Sequence, residues 1–276
     1  MLKGTALHEL MHIPGYWRDI NRVDHPDYRR ENLRYGPHPR QYVEVLLPPD
    51  REPQAWLIYW HGGGWRFGHP EQFLPAAFPW LELGMAVALP SYRRIPRYRW
   101  DSIEADLIAS LRAIQRDMGL HAGVEAPFIL SGLSAGGHLA ATVGLRPDIL
   151  AKSGWREDQL KGIISCAGVL SMAHMPMPVR WALAGNDESQ QPLFDPYQLV
   201  HPAAPPCYLL HGPKDGLAPY AGAAAFQSHY EAVAPGQCTM HVIPDGTHLD
   251  AGRWSTVDQQ TRRRLQQVVA NWLSVN

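Results

Sequence analysis

The chain has 276 residues, 45% of them hydrophobic, with 25 Lys and Arg against 26 Asp and Glu and a formal charge of -1. That is enough apolar material for one substantial core, so a single α/β domain over 1–276 is expected rather than two small ones. The balanced charge contains no long block of one sign, which argues against a nucleic-acid partner or an acidic membrane surface.

From the N-terminus, residues 1–40 are polar and aromatic, and Pro14, Pro26, Pro37 and Pro39 interrupt any long periodicity. They read as an irregular arm packed over the domain. The first residues contain no apolar stretch of signal-peptide length, and no window approaches the ~20 apolar residues of a membrane span. A soluble, cytoplasmic protein is expected. Strand-like runs follow at 43–48 (VEVLLP), 55–60 (AWLIYW) and 85–92 (MAVALPSY). A helix is predicted from Asp101 to Met118, with Ile103, Leu107, Leu111 and Ile114 on one face, Asp101 as N-cap and Gly119 as its stop.

A strand at 126–132 (APFILSG) runs directly into Ser134, and a small-residue helix follows to Leu145. Strands at 161–169 and 205–212, a helix at 221–233, a strand at 238–244 and a closing helix at 256–273 complete the alternation. The Arg262-Arg263-Arg264 run is read as a solvated face of that last helix. Such alternation predicts a mostly parallel sheet with helices on both faces. Residues 170–200, rich in Met and Pro, break the pattern and are read as a small lid or a long connection. Cys166, Cys207 and Cys238 each fall in an apolar run and are expected as buried thiols, not disulfides or ligands.

Gly132-Leu133-Ser134-Ala135-Gly136 is a G-x-S-x-G sequence between a strand and a helix. A strand-to-helix turn that tight leaves no room for side chains at 132 and 136, lifts the serine hydroxyl clear of the sheet and points a helix N-terminus at the reacting carbonyl. A serine hydroxyl needs a base to take its proton. In this architecture the chain order is serine, acid, histidine. Asp215 and His248, each just beyond a strand, fit that order at the carboxyl edge of the sheet, where ligands bind. Asp187 precedes the late strands, Asp245 is too near His248, and His211 comes before Asp215. Upstream, His61-Gly62-Gly63-Gly64-Trp65 follows a strand. Its glycines let backbone amides turn inward, so Gly63, Gly64 and Ala135 are the candidate oxyanion donors, with His61 as a structural anchor of the loop.

HGGGW at 61–65, GLSAGGH at 132–138, HGPKD at 211–215 and GTHLD at 246–250 resemble the α/β-hydrolase fold. They resemble its HGGG-type esterase and lipase branch, which includes hormone-sensitive-lipase-type carboxylesterases, feruloyl-esterase-like enzymes and kynurenine formamidases. Tyr35-Gly36 with Arg40-Gln41 and MAVALPSYRR at 85–94 carry the likeness from about residue 33 onward. The resemblance implies Ser134, Asp215 and His248 as the triad and Gly63, Gly64 and Ala135 as the oxyanion donors. Gly64, where formamidases of this group usually carry a larger residue, leans toward the esterases. The short N-terminal arm leans back toward formamidases and small esterases.

Two functions therefore compete: a carboxylesterase for small or medium acyl esters, and an arylformamidase using the same machinery. A ligand-binding protein on a hydrolase scaffold is a third, disfavoured because no triad member is missing. Trp65, Trp181 and Tyr220 are candidates for an aromatic substrate slot, although aromatics in a chain of this size more often fill core. The partner expected is a small ester or formamide. The sequence does not set the oligomeric state, and a homo-oligomer stays open. His8-Glu9-Leu10-Met11-His12 matches H-E-x-x-H, but Arg18 stands where a third histidine is needed and Pro14 is expected to break the helix. No metal or cofactor is expected.

Overall fold

In the computed structural model, which describes residues 3–22, 26–121 and 125–274, the chain opens with helix α1 (Ala6–Ile20). Strands β1 (Arg29–Arg34), β2 (Tyr42–Leu47) and β3 (Trp56–Trp60) follow, then helix α2 (Phe78–Glu82), strand β4 (Ala86–Pro90) and helix α3 (Trp100–His121). Strand β5 (Phe128–Leu133) leads into α4 (Ala135–Gly144), then α5 (Pro147–Ser153) and β6 (Leu160–Cys166). After the short helices α6 (Met177–Ala184) and α7 (Pro196–Leu199) come β7 (Cys207–His211), α8 (Tyr220–Val233), β8 (Cys238–Val242) and α9 (Gln259–Ser274).

The eight strands form one sheet in the order β1-β2-β4-β3-β5-β6-β7-β8. The β1–β2 and β2–β4 pairs are antiparallel and the rest parallel. Alternate residues of the central strands face opposite layers, as the two-residue period of a strand requires. Trp56, Ile58 and Trp60 join the layer with Ile103, Leu107, Leu139 and Phe226, from α3, α4 and α8. Leu57 and Tyr59 join the layer with Tyr16, Trp80, Leu265 and Val269, from α1, α2 and α9. The buried strands are apolar on both faces because helices cover both. No helix among the described residues is long and apolar enough to cross a membrane.

The arm departs from expectation. Residues 6–20 form a regular helix that runs through Pro14. Pro14 cannot donate to the carbonyl of Leu10, but both residues lie on the exposed side, where that carbonyl is open to solvent. The opposite face buries Glu9, Tyr16 and Ile20, and this packing outweighs the lost hydrogen bond. Strand β1 is a polar edge strand whose Arg30 and Asn32 both bond the buried Glu44 carboxylate at 2.7 Å. Helix α3 continues past Gly119, which does not end it. On α9, Arg262 ion-pairs with Glu82, so the basic run is not wholly solvated.

Residues 170–200 contain turns of 3-10 helix at Met172–His174 and Glu188–Leu193 beside α6 and α7. The segment is fastened to the body where the Phe194 carbonyl accepts from His138 Nε2 at 2.6 Å.

Candidate active site

Ser134 stands between the last residue of β5 and the first of α4, with φ 58° and ψ -120°. That conformation favours glycine and disfavours residues with a Cβ. It is held by two backbone bonds: Ser134 N–H to Cys166 O at 2.8 Å, and His138 N–H to Ser134 O at 3.0 Å. Strain retained at one residue and over-determined by its surroundings is a mark of a functional position. The close quarters explain the flanking glycines. A Cβ on Gly132 would lie 2.3 Å from the Gly136 carbonyl carbon, and one on Gly136 would lie 1.8 Å from Trp60 O.

β5, β6, β7 and β8 are parallel neighbours, so their exits share one edge. The exits of β7 and β8 are joined by Ile243 N–H to His211 O at 2.9 Å and Lys214 N–H to Gly246 O at 2.9 Å. Across this junction His248 Nδ1 donates to Asp215 Oδ2 at 2.8 Å. In the neutral imidazole Nε2 is then the unprotonated nitrogen. The other Asp215 oxygen accepts from Leu217 N–H at 2.8 Å and Ala218 N–H at 2.7 Å. His211 Nε2 donates to Ala218 O at 2.9 Å and lies 3.3 Å from Asp215 Oδ2. Burial pushes the Asp215 carboxyl up, but the adjacent His248 and hydrogen bonds from His211 and His248 outweigh it and hold the group well below the usual carboxylate range. Leu133 brings the two halves together: its Cδ2 is 3.0 Å from where a Cβ on Gly252, four residues past His248, would sit.

The HGGGW loop lies against Ser134, with a Cβ on Gly62 falling 3.1 Å from Leu133 O and 3.5 Å from Ser134 Cβ. Gly63, Gly64 and Trp65 have φ of 121°, 59° and 56°. The loop hangs from His61. Arg94, always a donor, gives a hydrogen bond to His61 Nε2 at 3.3 Å, so His61 Nδ1 carries the proton and donates to Gly62 O at 2.8 Å. The His61 ring stacks on Tyr92 with centroids 4.8 Å apart. The Ala135 amide opens α4, where first-turn N–H groups have no intrahelical partner.

The structure moves Trp65 out of the aromatic slot foreseen for it. Its side chain is buried (2% exposed) in the core layer, and its indole N–H donates to His138 Nδ1 at 3.2 Å. His138 is thereby the Nε2–H tautomer, consistent with its bond to Phe194 O. Trp181 is 50% exposed on α6, with Arg99 over its ring and its indole N–H on Asn186. Glu9, noted in the sequence only as part of H-E-x-x-H, reaches the His248 backbone. His12 Nδ1 bonds His8 O at 2.7 Å, within the same helix.

Two buried histidines make stability depend on acid. Burial and the Arg94 charge press His61 down to about 3, against the pull of its bond to Gly62 O. Burial holds His138 at about 4, against its bond to Phe194 O. Both titrate near 6.5 when unfolded. Between these limits the unfolded chain binds more protons, so stability falls as pH falls. The loss begins near pH 6.5 and continues to about 4 for His138 and about 3 for His61, at about 1.4 kcal/mol per pH unit for each. Urea unfolding at pH 7, 6 and 5 measures it. Equal stability at pH 7 and pH 5 would contradict neutral burial of this pair.

Comparison with known proteins places this geometry in a family. Esterase LipQ of Mycobacterium tuberculosis is 25% identical over 263 residues, covering 88% of this chain and 61% of LipQ, so the chain spans under two thirds of that relative's length. Kynurenine formamidase of Danio rerio is 30% identical over 113 residues, 41% of this chain and 37% of that enzyme. Among solved structures, esterase B from Lactobacillus rhamnosis superposes with a TM-score of 0.79 at 20% identity, covering 96% of this chain and 93% of that one. The architecture is that of the α/β-hydrolase fold. The BD-FAE family profile matches residues 43–230, a span that holds the HGGGW loop, Ser134 and Asp215 and exceeds half of the 276 residues. The chain belongs to the BD-FAE family.

Proposed function

We propose that this protein is a serine hydrolase that cleaves a carboxylic ester of small or medium acyl size through an acyl-enzyme on Ser134. His248 Nε2 takes the serine proton and returns it to the leaving alcohol. Asp215 holds the imidazole in the required tautomer and offsets the charge it gains. The amides of Gly63, Gly64 and Ala135 receive the oxyanion. Water, activated by His248, then releases the acid. The observation that carries this reading is the strained Ser134 at the head of α4, on the same sheet edge as the His248–Asp215 pair at 2.8 Å. The esterase name of LipQ supports the ester, and the modest acyl size rests on residues 170–200 folding as helices of eight residues or fewer. We further infer a reducing, cytoplasmic setting from three free, buried cysteines.

The match to kynurenine formamidase supports arylformamide hydrolysis as a second reading, over 41% of the chain. Kinetics on p-nitrophenyl butyrate and N-formylkynurenine separate the two. The ester is expected to have the higher kcat/KM, and a fluorophosphonate to modify Ser134. A preference for the formamide by orders of magnitude makes the second reading correct. Absence of both turnover and labelling removes the hydrolase reading altogether.

A further inference from the structure

Glu9 is fully buried (0% exposed), yet it belongs to the N-terminal helix, far along the chain from the late loops. Its Oε1 accepts from His248 N–H at 2.8 Å and from Gly216 N–H at 3.3 Å. One carboxylate oxygen thus joins the residue after Asp215 to the histidine that Asp215 holds. Its Oε2 is buried without a hydrogen-bond partner among the described residues. A buried carboxylate with an idle oxygen is costly, and it is expected only where the other oxygen does something the fold needs. The helix is also fastened on this side of the molecule: Asp19 pairs with Arg253 at 2.7 Å, five residues beyond His248.

We propose that Glu9 is a positioning residue for catalysis, clamping the Asp215 and His248 loops at one separation so that His248 Nδ1 stays on Asp215. The proposal rests on reading that pair as the working base. The β7–β8 junction secures the bases of both loops, but it leaves the backbone at 216 and 248 to be fixed by another group, and Glu9 is the acceptor they share. The requirement is for an acceptor at Oε1 and not for negative charge, because both donors are neutral amides. Glutamine, with its carbonyl oxygen at Oε1 and its NH2 at the idle position, therefore preserves the clamp. Methionine matches the shape and offers no such acceptor.

The test compares Glu9→Gln, Glu9→Met, Ser134→Ala and the unaltered protein on p-nitrophenyl butyrate, with circular dichroism to verify folding. Glu9→Met is expected to lower kcat about 10- to 100-fold, the scale of a small misplacement of catalytic groups, with KM within about twofold. Glu9→Gln is expected to keep kcat within about threefold of the unaltered protein. Folded Glu9→Met at full kcat overturns the proposal, as does a loss carried wholly by KM. If Glu9→Met does not fold, Glu9→Leu, which also lacks the acceptor, is judged by the same kcat and KM criteria, and a loss of tenfold or more in Glu9→Gln overturns the clamp in either case. Ser134→Ala isolates the underlying reading. If it remains active the serine-hydrolase reading fails, whereas an inactive Ser134→Ala beside a fully active Glu9→Met sinks the clamp alone.

Discussion

Ser134→Ala is expected to lower kcat on p-nitrophenyl butyrate by about 10⁴- to 10⁶-fold while leaving KM and the melting temperature little changed. The hydroxyl is the only part of the machinery removed. His248 stays on Asp215, and the Gly62–Trp65 loop stays where Arg94 and His61 hold it. What remains is transition-state stabilisation by the amides and by binding, so the residual rate is small but above that in water. Retention of more than about one per cent of kcat would mean that another group is the nucleophile. The backbone adds a second readout. Alanine keeps a Cβ at φ 58° and ψ -120°, whereas glycine does not. Ser134→Gly should therefore be as inactive as Ser134→Ala, yet more stable than the unaltered protein by about 1–3 kcal/mol, the cost of holding a side-chain residue in that region. Urea midpoints of the three proteins check it. A glycine variant no more stable than the alanine variant would mean that the turn stores no strain.

The parts of this site that were legible in the sequence are those set by short-range geometry. Gly132 and Gly136 are demanded by backbone contacts within a five-residue turn, and the strand before Ser134 is apolar because both faces of β5 are buried. Asp215 and His248 could be located because each follows an apolar strand of a parallel sheet, which fixes the edge on which their side chains emerge. What escaped was set by contacts without a sequence pattern. Strand β1, RRENLR, carries little apolar signal because it is an edge strand satisfied by Glu44. Helix α1 was concealed by Pro14, which is tolerated because it faces solvent while Glu9, Tyr16 and Ile20 pack on the opposite side. Glu9 meets His248 across 239 residues of chain, and nothing local marks a glutamate that will be buried. Trp65 sits beside the candidate oxyanion glycines, a position that suggests a substrate wall. Its φ of 56° goes with a ring turned into the core, where its N–H finds His138.

Gly136→Ala is expected to abolish activity and most of the soluble protein, although it adds one methyl group. The new Cβ would lie 1.8 Å from Trp60 O, 2.5 Å from Trp60 C and 2.8 Å from His61 O. None of these atoms belongs to a side chain that can rotate away. Trp60 pairs with Gly132 in the centre of the sheet, and its own ring is fully buried. Relief requires either that α4 withdraw, carrying Ser134 and the Ala135 amide with it, or that the end of β3 withdraw, carrying the HGGGW loop. Ordinary overpacking costs about 1–3 kcal/mol; backbone against backbone in a buried sheet should exceed that and approach the whole stability of a domain. Gly64→Ala is the contrasting case. Its Cβ meets nothing within 4 Å and its φ is 59°, so the penalty is the left-handed backbone alone, about 1–2 kcal/mol, and the variant should fold. Soluble yield and urea midpoints of the two variants are the measurement. If Gly136→Ala proves as stable as Gly64→Ala, the tight contact between β3 and the Ser134 turn is wrong. That contact is also what sets Gly62 3.5 Å from Ser134 Cβ, as measured to its would-be Cβ. The closeness that forbids alanine at 136 is the closeness that brings the candidate oxyanion amides to Ser134.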